Sequence, residues 1–406
     1  MTYVCRNCGS NISEEVINLG HQPPSNAYLS KEDLNKPEKT YPLNLLICTK
    51  CWLAQLPEHA SASELFQHDY AYFSSTSNTW CNHAKRYVDE VVKRIKLDKE
   101  SFVVEIASND GYLLQNFLNY KIPALGIEPT SKTAEVAIKK GVKTLVEFFS
   151  SELALKLISN GNKADLIIAN NVLAHVPDIK DFILGISILL KKDGLVSFEF
   201  PHLLKLLQCN QFDTIYHEHY SYLSLKIVIS MLKDANLFVF DVEELSTHGG
   251  SLRVWATNRK DEMVKNNVSR ILKEEETFGL TKMSSYSNLR KNAVKIKCEL
   301  MNFLTTQFNN DKIVCAYGAA AKGNTLLNYA GIKSDLIHYV ADLAESKQNK
   351  FMPGSHIPII SPIELNKVNY SHLILLPWNL LPEIRKTYSE TSLVTFIPKF
   401  NIINET

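Results

Sequence analysis

Apolar residues recur at helical spacing over 79–97, where Val88, Val91, Val92 and Ile95 share one stripe, and that spacing predicts a helix. The period then changes. Phe102-Val103-Val104-Glu105-Ile106 is a nearly unbroken apolar run, as expected of a strand covered on both faces. Small and polar residues from Ala107 to Gly111 interrupt it, and 112–117 opens a second helical stretch. Further apolar runs at 124–127, 165–169 and 194–200 repeat the strand signal at separations that accommodate helices. The alternation predicts an α/β unit with a doubly wound sheet at the centre of the chain.

Over 258–310, Lys and Glu alternate with Ile271, Leu272, Phe278, Leu289, Val294, Ile296, Leu300 and Phe303, which predicts long helices bridging two domains. A strand at 312–317, the small-residue turn from Gly318 to Thr325, and a strand at 337–340 ending near Asp342 then form a second Rossmann-like α/β unit. Pro353 to Ile359 reads as a loop entering another short strand. The run from Phe66 to Ser75 is too aromatic for a plain linker. It is either a lid carrying Tyr70 or Tyr72 toward a ligand or a packed hinge. Three domains result, at 1–72, 73–256 and 257–406.

The composition changes this picture little. With 406 residues, 45% hydrophobic and 21% charged, the chain can bury several cores. A formal net charge of +1 provides no long-range field for nucleic acid or a membrane surface. No apolar run approaches the roughly 18–20 residues of a membrane helix, and Met1 to Cys5 carries no secretory pattern. Cysteine is more informative. Cys5-Arg6-Asn7-Cys8-Gly9 and Cys48-Thr49-Lys50-Cys51 are paired C-x-x-C turns, which can present four thiolates to one tetrahedral zinc ion. Such a site is closed and structural, and it points to a reducing, cytoplasmic setting. The remaining cysteines, Cys81, Cys209, Cys298 and Cys315, are scattered.

Four stretches carry candidate chemistry. In the first α/β unit, the turn after 102–106 places small residues and backbone N–H groups where a nucleoside can approach, and Glu128 follows about twenty residues later, placed for ribose hydroxyls. Beyond the unit lies Tyr216-His217-Glu218-His219-Tyr220, a cluster costly to bury unless its polar groups find partners. Ser246-Thr247-His248-Gly249-Gly250-Ser251-Leu252-Arg253 adds glycines for close approach and an arginine for a phosphate, or else a plain β-turn. Lys322, at the second turn, faces the same choice between an anionic ligand and a bare surface.

Glu105-x-Ala107-x-Asn109-x-Gly111, then Ile127-Glu128-Pro129, then Asn170-Asn171-Val172-Leu173-Ala174-His175-Val176 resembles the motifs of class I S-adenosylmethionine-dependent methyltransferases. Ala107 and Asn109 stand where that family usually has glycines. Taken in order over the whole chain, the cysteine pairs, this turn, Phe200-Pro201-His202, the Tyr216 block, the Ser246 stretch and Tyr317 to Thr325 resemble the sugar C-methyltransferase family. Its members methylate C3 of nucleotide-linked 4-ketosugars. The resemblance implies S-adenosylmethionine and zinc as cofactors and a nucleotide-linked ketosugar as substrate, with a monomer expected. It assigns cofactor contacts to Glu105, Ala107, Asn109, Gly111, Glu128 and Asn171, and substrate contacts to Arg253, Lys322, Asn324, Asp342 and Lys347. His219 is the expected base, supported by Glu218 and Tyr216, with His175 as donor to the enolate oxygen and Tyr70 nearby. His217 is expected to be dispensable. Two other readings stay open: a metal-dependent nucleotide-sugar hydrolase or epimerase built on His217-x-His219, and a non-catalytic nucleotide-sugar-binding protein.

Overall fold

The computed structural model describes residues 3–66 and 73–404, so Tyr70 and Tyr72 lie outside the described residues. At its centre is a seven-stranded sheet of β1 (Val103–Ile106), β2 (Ala124–Ile127), β3 (Thr144–Leu145), β4 (Ala164–Asn170), β5 (Leu190–Pro201), β6 (Phe238–Leu245) and β7 (Ser251–Thr257). The spatial order is β6-β7-β5-β4-β1-β2-β3. β7 is antiparallel to both neighbours, and the pairs from β5 to β3 are parallel. All four β1 residues are buried, as a strand with helices on both faces requires. One of those helices is α1 (Asn78–Ile95), whose first turn is closed by the Ser77 hydroxyl accepting from Trp80 N at 3.3 Å. Its Tyr87, Val88, Val91 and Val92 pack on the sheet. The strand order reverses between β1 and β4, which opens a crevice at their carboxyl ends.

The N-terminal strands Glu14–Gln22, Tyr41–Ile47 and Ala54–Gln55 form an antiparallel sheet. Its fourth strand is Ser221–Tyr222, which leaves the Tyr216 block and crosses into the N-terminal sheet. Nothing in the hydrophobic pattern announces that exchange.

The C-terminal sheet contains β8 (Val314–Tyr317), β9 (Val340–Ala341), β10 (Ile359–Ile360), β11 (His372–Leu375), β12 (Leu393–Thr395) and β13 (Asn401–Ile403), ordered β10-β9-β8-β11-β12-β13. Only its last pair is antiparallel. The helices α2 (Asn266–Phe278) and α3 (Ser287–Asn309) precede it, and α4 (Ala321–Ala330) follows β8. On α3 the buried stripe runs through Leu289, Ala293, Ile296, Leu300 and Phe303. Val294, expected on that stripe, lies one residue off it and is 46% exposed. α3 ties the chain together. Ile17, Leu43 and Leu45 of the N-terminal sheet, Phe212 and Ile215 beside the Tyr216 block, α3 and the C-terminal sheet share one core. Among the described residues no helix is long and apolar enough to cross a membrane.

Candidate active site

The two knuckles bring Cys5, Cys8, Cys48 and Cys51 together, with all four Sγ atoms within 4.8 Å of one another. Gly9 N donates to Cys5 O at 2.9 Å and Trp52 N to Cys48 O at 2.7 Å, closing the turns that aim each pair. Four sulfurs about 2.3 Å from one ion are about 3.8 Å apart, so the cluster fits tetrahedral zinc. Cys48→Ser is expected to abolish zinc retention, measured by atomic absorption. It should also lower the unfolding temperature, by roughly 2–4 °C for each kcal/mol lost.

In the crevice, Ala107 and Asn109 adopt φ of 57° and 50°, the left-handed conformation for which glycine is usual. The turn therefore keeps the glycine-loop course without the glycines. Gly111 favours glycine on two counts, a φ of 73° and a Cβ position that would lie 3.1 Å from the Ala137 and Val142 side chains. Glu128 holds the turn: its Oε2 accepts from Asn109 N and its Oε1 from Thr130 N, both at 2.9 Å. Burial pushes the Glu128 carboxyl above its ordinary value despite these bonds. Glu105, at the end of β1, is buried with Oε2 unpartnered, and burial followed by Asp110, Glu128 and Glu199 drives its pKa well up. Asn170 Oδ1, both amide atoms of Asn171 and Ser108 Oγ also have no protein partner among the described residues. Orphaned polar atoms gathered at the carboxyl ends of β1 and β4 fit a polar cofactor that would satisfy them.

The Tyr216 block lies beyond this crevice. His219 Nδ1 lies 2.9 Å from Thr214 O, a carbonyl that can only accept, so this nitrogen carries the proton. Nε2 is therefore the lone pair, and it receives the Tyr216 hydroxyl at 2.8 Å. Burial, then the neighbouring His175, hold His219 well below the ordinary histidine value, so its neutral, accepting form prevails at pH 7. The His175 ring is 4.6 Å from that of His219, centroid to centroid. Burial brings its pKa down to about 4, opposed by a hydrogen bond to the backbone of Glu218. His175 Nδ1 has no protein partner among the described residues.

Two expectations for the block change. The Glu218 side chain does not orient His219, whose two nitrogens are taken by Thr214 and Tyr216; its carboxylate receives the Asn26 amide. His217 turns toward the N-terminal domain, with Nε2 3.3 Å from Tyr41 O. His217 and His219 therefore do not form a ligand pair, and among the described residues the four cysteines are the one group placed to hold a metal.

The expected substrate residues divide. Arg253 is 4% exposed and is held by Glu199 at 2.6 Å and Glu243 at 2.9 Å, so it cannot meet a phosphate. Gly249 makes room not for a ligand but for Trp378, whose ring would lie 2.3 Å from a Cβ there. Asn324 is buried, with Nδ2 donating to Ser25 O at 2.6 Å. Asp342 accepts from Ala319 N at 2.7 Å, repeating in the C-terminal unit what Glu128 does in the central one, and Lys347 donates to Ala319 O at 2.8 Å. Lys322 stands apart from these. Its Nζ donates to Asn379 Oδ1 at 2.8 Å and lies 4.9 Å from the Trp378 ring, and burial lowers its pKa while Asp213 raises it. Sequence reasoning missed Trp378, Asp213 and Asn26. Trp378 Nε1 donates to Asp213 Oδ2 at 2.7 Å, and burial pushes Asp213 up to about 6. The position of Trp378, just past β11 where the C-terminal strand order reverses, was the usable signal.

Fold and site together define a methyltransferase with a zinc-bearing N-terminal domain. Family models match in the same order: a zinc binding domain at 5–66, a methyltransferase domain at 80–242 and a C-methyltransferase C-terminal domain at 246–398. The C-methyltransferase NovU of Streptomyces niveus is 34% identical over 381 residues, covering 94% of this chain and 90% of that protein. The chain belongs to the S-adenosylmethionine-dependent C-methyltransferase family, and its cofactors are S-adenosylmethionine and a structural zinc ion. Solved structures match the chain in part. Magnesium protoporphyrin IX methyltransferase of Synechocystis PCC 6803 with bound SAM has a TM-score of 0.33 at 17% identity, over 44% of this chain and 81% of that one. The PH0226 protein of Pyrococcus horikoshii OT3 has a TM-score of 0.38 at 14% identity, over 47% and 95% respectively. At these scores the likeness carries no argument.

Proposed function

We propose that the enzyme removes the C3 proton of a nucleotide-linked 4-ketosugar and methylates the resulting enolate, in the synthesis of branched deoxysugars. The observation behind this reading is the His219–Tyr216 pair: a lone pair and a hydroxyl 2.8 Å apart. Methylating carbon requires a carbon nucleophile, and a proton next to a ketone yields one when a base removes it and a donor stabilises the oxyanion. C3 and the keto oxygen are neighbours on the sugar, so one pair of groups can address both. His219 Nε2 takes the proton as the C3–H bond breaks. The Tyr216 hydroxyl, displaced from Nε2, donates to the enolate oxygen. Bound S-adenosylmethionine supplies an electrophilic methyl group. Glu105, Glu128 and Asn171 hold the cofactor at the crevice, while the course of the turn at Ala107, Asn109 and Gly111 lets it approach. Lys322, with two ammonium protons beyond its bond to Asn379, meets the substrate phosphates. Asn324, Asp342 and Lys347 shape the turn that presents it. The protein is read as a cytosolic monomer, in a compartment that keeps its zinc-binding thiols reduced.

Mass spectrometry across a panel of nucleotide-linked 4-ketosugars should detect the gain of a single methyl group. Glu128→Ala should weaken S-adenosylmethionine binding about tenfold or more by calorimetry. A panel that shows no methylated sugar would defeat the proposal.

A further inference from the structure

We propose that the zinc-binding domain supplies a positioning residue to the active site: Asn26, whose amide holds the Glu218 carboxylate in place. This rests on the proposed roles of His219 and Tyr216: the Glu218 carboxylate does not touch the His219 ring but anchors the turn that carries both, which His219 N closes by donating to Tyr216 O at 2.9 Å. Asn26 Nδ2 lies 2.8 Å from both Glu218 oxygens, and Glu218 is only 2% exposed. A buried carboxylate that loses a hydrogen-bond donor incurs a desolvation cost, and a neutral amide can hold the charge without cancelling it.

The segment carrying Asn26 is fixed on both sides. Ser25 O receives the Asn324 amide at 2.6 Å, and the Tyr28 hydroxyl donates to Ala319 O at 2.5 Å. Leu29 pairs with Phe351, and Glu38 receives Gly354 N at 2.8 Å. The residues around Glu218 are tied to the same domain. Ser221 and Tyr222 pair with Gln55 and Ala54, and Leu56 N donates to Tyr220 O at 3.0 Å. Arg6, inside the first knuckle, donates to Leu56 O at 2.5 Å and to Pro177 O, just behind His175, at 3.0 Å. The N-terminal domain thus holds both segments: Arg6 of the first knuckle through Leu56 and Pro177, and Asn26, outside the knuckles, through the Glu218 carboxylate. Among the described residues, Glu218 acts electrostatically on Tyr28, which also feels Lys347 and Asp342, and on Tyr220, which also feels Glu58 and Arg6.

The test uses the full-length, zinc-loaded enzyme. Carbon-13 NMR of glutamate-labelled protein follows the Glu218 carboxyl, assigned by its loss in Glu218→Gln. In Asn26→Ala it should titrate at higher pH than in the wild type, because a donor to the charged form has gone. With S-adenosylmethionine and dTDP-4-keto-6-deoxyglucose as probe, kcat should fall roughly ten- to hundredfold while KM for the cofactor stays unchanged. In Asn26→Asp two carboxylates meet and share a proton, so activity should recover as pH falls, which a merely structural lesion would not show. In the Glu218→Gln background, Asn26→Ala should cost nothing further. An unchanged Glu218 titration in folded Asn26→Ala and Asn26→Asp protein, or additive losses in the double variant, overturns the proposal. Wild-type activity in Glu218→Gln would instead defeat the anchoring of the turn by Glu218, and the Asn26 proposal with it.

Discussion

His219→Ala is expected to slow deuterium exchange at C3 of a 4-ketosugar by roughly 10²- to 10⁴-fold, the usual contribution of a positioned general base. His217→Ala is expected to leave that rate within about threefold. Two histidines separated by one residue differ this much because the loop turns them apart. The His219 ring is set by Thr214 O and Tyr216, while His217 packs edge-on against the Tyr41 ring. The pH profile gives a second handle. Burial, then His175, depress the pKa of His219 below its ordinary value, so the accepting form survives to lower pH than in a free histidine. The acid limb of kcat/KM should therefore fall below about pH 6.5, with no loss of rate between pH 7 and that point. An acid limb above pH 6.5, or equal losses in the two alanine variants, would show that His219 is not the base.

The parts of this molecule that depend on local sequence could be read in advance. Buried strands such as Val103–Ile106 are dense apolar runs, and paired C-x-x-C turns fix their own geometry within a few residues. Glu128 was recognisable because its place after β2 follows from sheet topology. What escaped reading depends on long-range partners. No periodicity in Ser221-Tyr222 says that it will join a strand some 165 residues earlier. Likewise the Glu218 side chain looked like support for its neighbour His219, since the linear sequence hides Asn26. A motif reports which side chains are present, whereas the direction each takes is decided by the element packed against it.

Arg253 shows the same point with a large energetic effect. Strand register places it opposite Glu199 on β5 and opposite Glu243 on β6, so a cation in the middle of β7 lies between two acids. Its guanidinium also lies 4.6 Å from the Tyr87 ring, and His83 Nε2 contacts Glu199 at 3.0 Å. Arg253→Ala is therefore expected to cost about 3–5 kcal/mol of stability, because it strips the cation from a fully buried carboxylate. Arg270→Ala, which breaks two exposed ion pairs, should cost no more than about 1 kcal/mol. The dependence on pH follows from Glu199. Burial pushes its carboxyl up, but His83 and Arg253 more than offset this, leaving the folded value below the ordinary one. In the wild type this pairing adds stability above about pH 4.5, and that contribution is lost as pH falls through the depressed value. In Arg253→Ala the carboxyl moves toward or above its unfolded value, so the deficit should be largest near neutral pH and shrink toward pH 4. Denaturant melts of both proteins at pH 7.5 and at pH 4 and below measure this. If Arg253 met a substrate phosphate instead, alanine would raise the KM for the nucleotide-linked sugar and leave the melts unchanged, an outcome that the two facing acids exclude.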